Sequence, residues 1–302
     1  MQTAFRSVAA PNNFLGIGKE YSTFDSSRVV ILPAPFGEST TRGRGPASAP
    51  QAIIRASRDI EPFDEETKRE FFKEQGIATL LPLNFTGKKA ESAIQDFHET
   101  VLRLLELNKF VVTLGGTRTL SPPLIAAFAK KQTDLSVLQL DAHSNVHDSH
   151  LGMQYGDTRA MARVCEFLDP GRLVQVGVRA QSKQEAEFIR DKKIKIFYAH
   201  EIHGGRYTRL LKYWDDVVAD QLSEYVYVTM DVDVLDPSIM PATSTPEPDG
   251  LQWNEITRCL KKVGQKKKIV GFDLVGLSPI RNYHIPERVA AKLVLKTLNY
   301  AF

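Results

Sequence analysis

Short runs of apolar and β-branched residues alternate along the chain with longer segments in which apolar residues recur at helical spacing. Runs of about four to eight such residues predict buried strands, and the longer segments predict amphipathic helices. Their alternation predicts an α/β fold, with a doubly wound, mostly parallel sheet and helices on both faces. The predicted strands cover residues 29–33, 110–114, 135–140, 173–178, 195–198, 225–229 and 268–274, and the predicted helices cover 49–56, 89–107, 122–131, 158–167, 183–192, 206–221, 254–264 and 285–301.

The chain has 302 residues, and we predict one domain, 1–302, because no linker, internal repeat or low-complexity segment interrupts this alternation. Hydrophobic residues make up 42% of the sequence, which is enough for a sizeable core. Two segments rich in Gly, Pro, Ser and Thr, 33–50 and 237–251, flank the predicted carboxyl edge of the sheet. They form either the rim of a ligand crevice or connections alone.

Two of the predicted strands end in acidic segments. Asp141 and His143 follow strand 135–140, and Asp231 and Asp233 follow strand 225–229. The carboxyl ends of parallel strands meet at one edge of a sheet. Because side chains alternate with a period of two residues, the two members of each pair should point towards the same side. Carboxylates and an imidazole are ligands that suit a divalent ion such as manganese. The pattern therefore predicts a metal site, with capping of the following helices as the alternative role.

Further motifs are spread along the whole chain: A-P-F and R-G-R-G-P within 34–46, G-G at 115–116, D-A-H at 141–143, D-V-D-V-L-D-P at 231–237, T-P-E-P-D-G-L at 245–251 and G-F-D-L-V at 271–275. In these motifs the chain resembles the ureohydrolase family of arginases, agmatinases, guanidinobutyrases and formiminoglutamases, and it is most like the agmatinases. The resemblance implies an arginase-like three-layer fold. It also implies two bridged manganese ions that hydrolyse a guanidino group to urea.

The chain departs from the family pattern at one of the two metal positions. The resemblance assigns one ion to the His of G-G-x-H and to the last Asp of D-A-H-x-D, which are Arg118 and Asn145 here. An arginine has no lone pair for a metal and keeps its positive charge. We therefore expect one manganese ion or none, with the guanidinium of Arg118 replacing the other ion against two carboxylates. The second set of ligands, Asp141, His143, Asp231 and Asp233, is retained.

Two positions that the family uses for chemistry have also changed. The proton-shuttle His of agmatinases aligns with Asp157, and the Glu that pairs with the substrate guanidinium aligns with Gly276. The candidates for acid–base roles are then Asp157, His147 and Glu247; His147, with His150, is otherwise a polar residue of a solvated loop. These losses favour a catalytically inactive or strongly impaired protein, since groups that act as a catalytic unit fail together. The alternative is a hydrolase of a guanidino or other C–N substrate that uses the one retained metal.

Bulk properties exclude several classes of function. A net charge of +3 with both signs interspersed gives no nucleic-acid signature. The lysines at 261–262 and 266–268 are interpreted as a solvated helix end rather than a phosphate-binding patch. No apolar run reaches about 18 residues, so no membrane span is expected.

The expected environment and partners follow from two cysteines and from the resemblance. Two cysteines argue for a reducing compartment, and we expect the cytoplasm, although the acid-free segment 1–19 is compatible with a transit peptide. The family implies a homo-oligomer, trimer or hexamer. A small-molecule ligand and an active paralogue are the other partners expected.

Overall fold

The computed structural model describes residues 5–37, 45–147, 156–205 and 213–302. Its centre is one sheet of eight parallel strands in the order β2-β1-β3-β8-β7-β4-β5-β6. The strands are β1 Val29–Ala34, β2 Ile77–Thr79, β3 Phe110–Gly115, β4 Leu135–Leu140, β5 Leu173–Val178, β6 Lys195–Tyr198, β7 Tyr225–Asp231 and β8 Lys268–Val275. The prediction of a parallel α/β sheet is confirmed, and every named strand pair is parallel.

Helices connect the strands. Their bounds are α1 Lys19–Ser22, α2 Ala49–Ala56, α3 Phe71–Gln75, α4 Ala90–Glu106, α5 Ser121–Lys131, α6 Ala160–Val164, α7 Lys183–Lys192, α8 Ala199–His203, α9 Trp214–Gln221, α10 Trp253–Lys266 and α11 Ile285–Ala301. Within the described ranges no helix is long and apolar enough to cross a membrane.

Alternate residues of the strands feed two separate hydrophobic cores. Val29 and Ile31 of β1 pack in one core, with residues of α2, α10 and α11. Val30 and Leu32 pack in the other, with residues of α4 and α5. Because successive side chains of a strand point to opposite faces, this division shows that helices cover both faces of the sheet, as predicted.

Some element boundaries differ from the predictions. Strand β2 was not predicted, because three residues give too short an apolar run to stand out. The helix predicted at 158–167 is only α6, because the N–H groups of Glu166 and Phe167 bond to carbonyls three residues back and tighten the chain into a turn. Of the helix predicted at 206–221, the part before residue 213 lies outside the described residues.

The strand order brings the residues of interest to one edge. Strands β3, β8, β7 and β4 are consecutive neighbours in the sheet. Asp231 is the last residue of β7, Gly276 follows β8, Asp141 follows β4, and Arg118 lies three residues after the end of β3. Residues far apart in the chain therefore converge at the carboxyl edge of the four central strands.

Candidate functional site

A tight turn at the end of β3 places Arg118. A side chain at Gly116 would approach the carbonyl oxygen of Phe36 to 2.1 Å, so the close packing of this turn requires glycine. A short 3-10 helix, Arg118–Leu120, follows it. The carboxylate of Asp157 accepts hydrogen bonds from the backbone N–H and the hydroxyl of Thr119, at 2.8 and 2.7 Å. Asp157, expected as a candidate for proton transfer, thus holds the turn that carries Arg118.

The guanidinium of Arg118 lies between two carboxylates. Its Nη2 atom is 2.6 Å from Oδ2 of Asp141 and 2.7 Å from Oδ2 of Asp231. The side chain is 2% exposed, so these ion pairs are shielded from water. Neither Nη1 nor Nη2 meets hydrogen-bond geometry with a partner among the described residues, so the two contacts of Nη2 are ion pairs set by charge and distance. This is the contact that the sequence predicted for Arg118, at the position of the family's His ligand.

Asp141 is surrounded by donors. Besides Arg118, its Oδ2 atom accepts hydrogen bonds from the side-chain amides of Gln139 at 2.7 Å and Asn145 at 2.6 Å. Asn145 has a φ of 53°, a left-handed conformation that Asn adopts more readily than most residues. The two amide hydrogen bonds use the lone pairs of this oxygen, and the adjacent guanidinium charge further opposes a bridging metal there. Gln139 was missed from the sequence, although an amide inside the apolar run of β4 is an unusual buried polar group.

Asp231 occupies space that a side chain at position 276 would need. Gly276 has a φ of 83°, in the left-handed region, and a Cβ atom there would lie 1.9 Å from Oδ1 of Asp231. The absence of a side chain at this position therefore has an effect besides the predicted loss of a substrate-binding carboxylate. It makes room for the Asp231 carboxylate in the orientation that pairs with Arg118.

Two of the retained ligands, His143 and Asp233, lie on the other side of the cluster. Asp233 lies in a 3-10 turn, Val232–Val234, so the turn rather than strand alternation brings it beside Asp231, whose Oδ1 accepts its N–H at 3.0 Å. Oδ2 of Asp233 is 2.9 Å from Nδ1 of His143, and Oε1 of Glu247 is 3.9 Å from Nε2 of that ring. Among the described residues, Asp141, His143 and Asp233 form a group able to hold a metal, with ligand atoms within 4.8 Å of one another, and Asp231, predicted as a fourth ligand, is not part of it.

Burial and the three carboxylates control protonation here. Burial opposes charge on His143, but the adjacent Asp141 and Asp233 outweigh it and raise the pKa of His143 to about 10. Burial likewise opposes the charge of Arg118, yet the pKa of that guanidinium is raised by the same carboxylates together with Asp231. At neutral pH, without metal, three acidic residues thus face two cations.

The carboxylates themselves respond unequally. Burial, helped by the neighbouring charge of Asp233, raises the pKa of Asp231 well above its usual value despite Arg118. Burial by itself would also raise the pKa of Asp233, but the hydrogen bond from His143 and the charge of Arg118 outweigh burial and lower that pKa. Because the cluster has one carboxylate more than it has cations, Asp231 is the member that most favours the neutral form.

The remaining sequence candidates lie at the margin. His147 is partly buried, and its backbone N–H bonds to the carbonyl of Thr158 at 3.0 Å. His150 lies outside the described residues. Neither acid–base role is tested by these contacts, and both stay predictions. Arg179 is a further residue that the sequence did not single out. Its Nη2 donates to the carbonyl of Asp233 at 2.7 Å and to that of Glu247 at 2.9 Å, which joins the two loops.

Comparison with known proteins shows the family of the chain. The family model described as "Arginase family" matches residues 27–299. The chain belongs to the arginase family. It is 34% identical over 280 residues to the N(1)-aminopropylagmatine ureohydrolase of Thermus thermophilus, covering 93% of this chain and 92% of that protein. It is 27% identical to an agmatinase of Bacillus cereus, with 93% of each chain covered.

Solved structures show the same arginase-like fold. Proclavaminate amidino hydrolase of Streptomyces clavuligerus superposes with a TM-score of 0.84 at 25% identity, covering 97% of both chains. The agmatine ureohydrolase of Thermoplasma volcanium gives a TM-score of 0.83 at 24% identity, covering 97% of this chain and 95% of that one. The fold expected from the resemblance is therefore confirmed.

The two manganese ions of the arginase family do not both fit the residues present. Arg118 places a fixed cation against Asp141 and Asp231. Asn145 donates a hydrogen bond to Asp141 and has no carboxylate to offer a metal ion. The other position, at Asp141, His143 and Asp233, fits a single ion by ligand type and spacing. The number and identity of bound ions stay predictions.

Proposed function

We propose that this member of the arginase family lacks urea-releasing activity and is a pseudoenzyme. The observation that carries the proposal is the buried guanidinium of Arg118 at 2.6 and 2.7 Å from two carboxylates of the metal cluster. A covalently attached cation neutralises these groups but has no empty orbital with which to bind and activate water. Charge balance is thereby kept while Lewis-acid chemistry at this position is lost.

Two further features act in the same direction. Gly276 offers no carboxylate to a substrate guanidinium, and Asp231 fills the space beside it. Asp157 accepts hydrogen bonds from Thr119 in the turn and does not replace a histidine that moves protons. Metal activation, substrate anchoring and proton transfer are therefore weakened together, and such losses are large and not additive.

The test is urea release from agmatine, arginine and N(1)-aminopropylagmatine with manganese supplied. We expect no turnover above background, while the Thermus thermophilus relative, assayed in parallel, controls for substrate and metal quality. A kcat in the ordinary enzyme range of about 1 to 1000 per second would refute the proposal.

A single-metal hydrolase is the second candidate, favoured by the spacing of Asp141, His143 and Asp233. The same manganese-loaded protein, screened against other C–N substrates, tests it. Turnover that disappears in Asp233→Asn, which removes one ligand charge with little change of shape, would support this candidate over a contaminating enzyme.

We further propose that the protein is a cytoplasmic homo-oligomer, a trimer or hexamer, which an active paralogue joins in mixed assemblies. The family resemblance supports the assembly, and the unpaired Cys165 and Cys259 are compatible with a reducing compartment. Light scattering of the purified protein should give a mass several times 33.8 kDa. A monomer at working concentration would contradict the assembly.

A further inference from the structure

A cavity lies at the opposite edge of the sheet from the carboxylate cluster. Its volume is about 520 Å³, within the usual range of small-molecule sites. It opens where three neighbouring strands begin: Arg28 precedes β1, Lys109 precedes β3, and Lys267 precedes β8. Lys131, the last residue of α5, also lines it. We call these four residues the basic edge. Strands of about six residues separate the basic edge from Asp141 and Asp231 by roughly 20 Å.

The positive charges of the basic edge face neutral acceptors. Lys109 Nζ donates to the carbonyls of Phe24 and Ser27 at 2.6 and 2.7 Å, and Lys267 Nζ donates to that of Leu222 at 2.6 Å. Lys131 Nζ donates to the carbonyl of Leu105 and to the side-chain oxygen of Asn108. Arg28 contacts the side-chain oxygen of Gln75 and the ring of Phe302. In the described part of the chain, none of the four forms an ion pair with a carboxylate.

The neighbouring lysines provide the contrast. Lys261 pairs with Glu66, and Lys262 and Lys266 pair with Asp216, all outside the cavity. Lys268 also lines the cavity, but it pairs with Glu224. For Lys261, Lys262 and Lys266, which lie in α10, the interpretation of a solvated, ion-paired helix end agrees with these contacts. Lys267 belongs to the same run, yet it points to the cavity and has only a carbonyl. The run therefore contains two different kinds of lysine.

Capping of helix ends explains part of this arrangement but leaves donors unused. The contacts of Lys131 and Lys267 are to chain segments at the ends of α4 and α9, where a cation is favourable. An ammonium group has three donors, however, so Lys109 and Lys131 each retain one and Lys267 retains two. Arg28 uses one of its five. The cavity is thus lined by several unused donors and by four cations without an ion-pair partner among the described residues, beside Lys268, which pairs with Glu224.

We propose that the basic edge binds a small polyphosphate-bearing anion, at a site separate from the carboxylate cluster. Phosphate oxygens accept several charge-assisted hydrogen bonds at once, which suits cations spread over three strand starts and one helix end. The partly exposed rings of Tyr225 and Phe302, which also line the cavity, offer contact to an organic portion of the ligand. The site does not depend on whether the protein hydrolyses guanidino groups.

Titration calorimetry of the full chain with inorganic tripolyphosphate tests the proposal, with sodium chloride at matched ionic strength as the reference. Removing two contacts in Lys131→Gln/Lys267→Gln should weaken binding by about tenfold or more. The matched control, Lys261→Gln/Lys262→Gln, removes the same charge from ion pairs outside the cavity and should bind within about twofold of the parent chain. Equal weakening in both variants, or no binding at millimolar tripolyphosphate, would overturn the site.

A second measurement uses the unmodified sequence, so it remains informative if the variant Lys131→Gln/Lys267→Gln fails to fold. Acetylation of lysines in the unmodified protein, followed by mass spectrometry, should slow at Lys131 and Lys267 when tripolyphosphate is present and stay constant at Lys261. Unchanged rates at the cavity lysines would contradict the proposal. So would tight binding of a short RNA duplex that tripolyphosphate does not displace, because the cavity is too small for a duplex.

Discussion

The two halves of the carboxylate cluster differ in what neutralises them. In the arginine half, Asp141 and Asp231 face the guanidinium of Arg118, which is part of the chain and cannot be exchanged. In the histidine half, Asp233 faces His143, whose proton can leave and make room for a metal ion. If Arg118 replaces an ion, as we propose, the comparison teaches that a metal site can lose one ion and keep its fold when a permanent cation compensates the carboxylates left behind.

The largest expected effect comes from removing that cation. Arg118→Met keeps the length of the side chain but leaves two buried carboxylates unpaired, so the free energy of unfolding should fall by about 3–5 kcal/mol. Urea denaturation measures it. Arg172→Met is the control, because the pair of Arg172 with Asp134 is exposed and should contribute less than about 1 kcal/mol. Equal losses in the two variants would show that the arginine half needs no internal cation.

Arg118→His sharpens the same comparison. A neutral imidazole can ligate manganese, so this variant should melt lower than the parent chain without metal and gain more from added manganese, since a bound ligand stabilises the folded state. If the melting temperature without metal and the manganese-induced shift both match those of the parent chain, Arg118 does not replace an ion.

The next effect tests the coupling of Gly276 to the arginine half. Gly276→Ala must adopt a positive φ and displace Asp231, whereas Gly87→Ala has a similar φ of 72° and nothing within 4 Å of the new Cβ. The strain at φ costs about 1–3 kcal/mol in both, and Gly276→Ala should cost more because of the contact. Urea denaturation of both variants measures the difference.

The coupling itself is measured in the Arg118→His background. There Asp231 is no longer paired with a fixed cation and can turn away, so the cost of Gly276→Ala should fall by about 0.5 kcal/mol or more. A cost that is the same in both backgrounds would mean that Asp231 is held by other contacts.

A further prediction concerns the exchangeable half. At most one manganese ion should bind per chain, and it must displace the proton of His143, whose pKa is about 10. Apparent affinity should therefore rise by about tenfold per pH unit from about pH 6 to pH 8. Calorimetry and elemental analysis measure both quantities. His143→Gln should lose the binding, whereas His203→Gln, which breaks a histidine–carboxylate pair elsewhere, should keep it. Two ions per chain would contradict the proposal that Arg118 takes the place of one ion.

The same pKa sets the sign of a stability change without metal. The folded-state pKa of His143 lies above the unfolded value of about 6.5, so its contribution is complete below that pH. The contribution is lost as the pH rises through about 10. The free energy of unfolding should thus decline over this window by more in the parent chain than in His143→Gln.

Much of the fold could be predicted because strands such as Leu135–Leu140 and helices such as α11 have strong local patterns. Three-residue β2 and the short α6 could not, since their length depends on contacts with other segments. In the site, Arg118 and Asn145 were found because they interrupt motifs that are otherwise retained. Gln139 was not predicted as a site residue, because a polar residue within an apolar run does not show from the sequence that its amide bonds to Asp141.

The sequence alone determined the family and the parallel α/β architecture, and it predicted that Arg118 and Asn145 replace metal ligands and that Gly276 replaces a substrate-binding Glu, because these follow from local pattern and residue chemistry. Only the tertiary structure decided how the replacements act together. The order β3-β8-β7-β4 brings Arg118, Gly276, Asp231 and Asp141 to adjacent strand ends, and there the glycine clears the space in which Asp231 meets the guanidinium. That contact depends on distances of a few ångströms between residues more than a hundred positions apart, which no local pattern encodes.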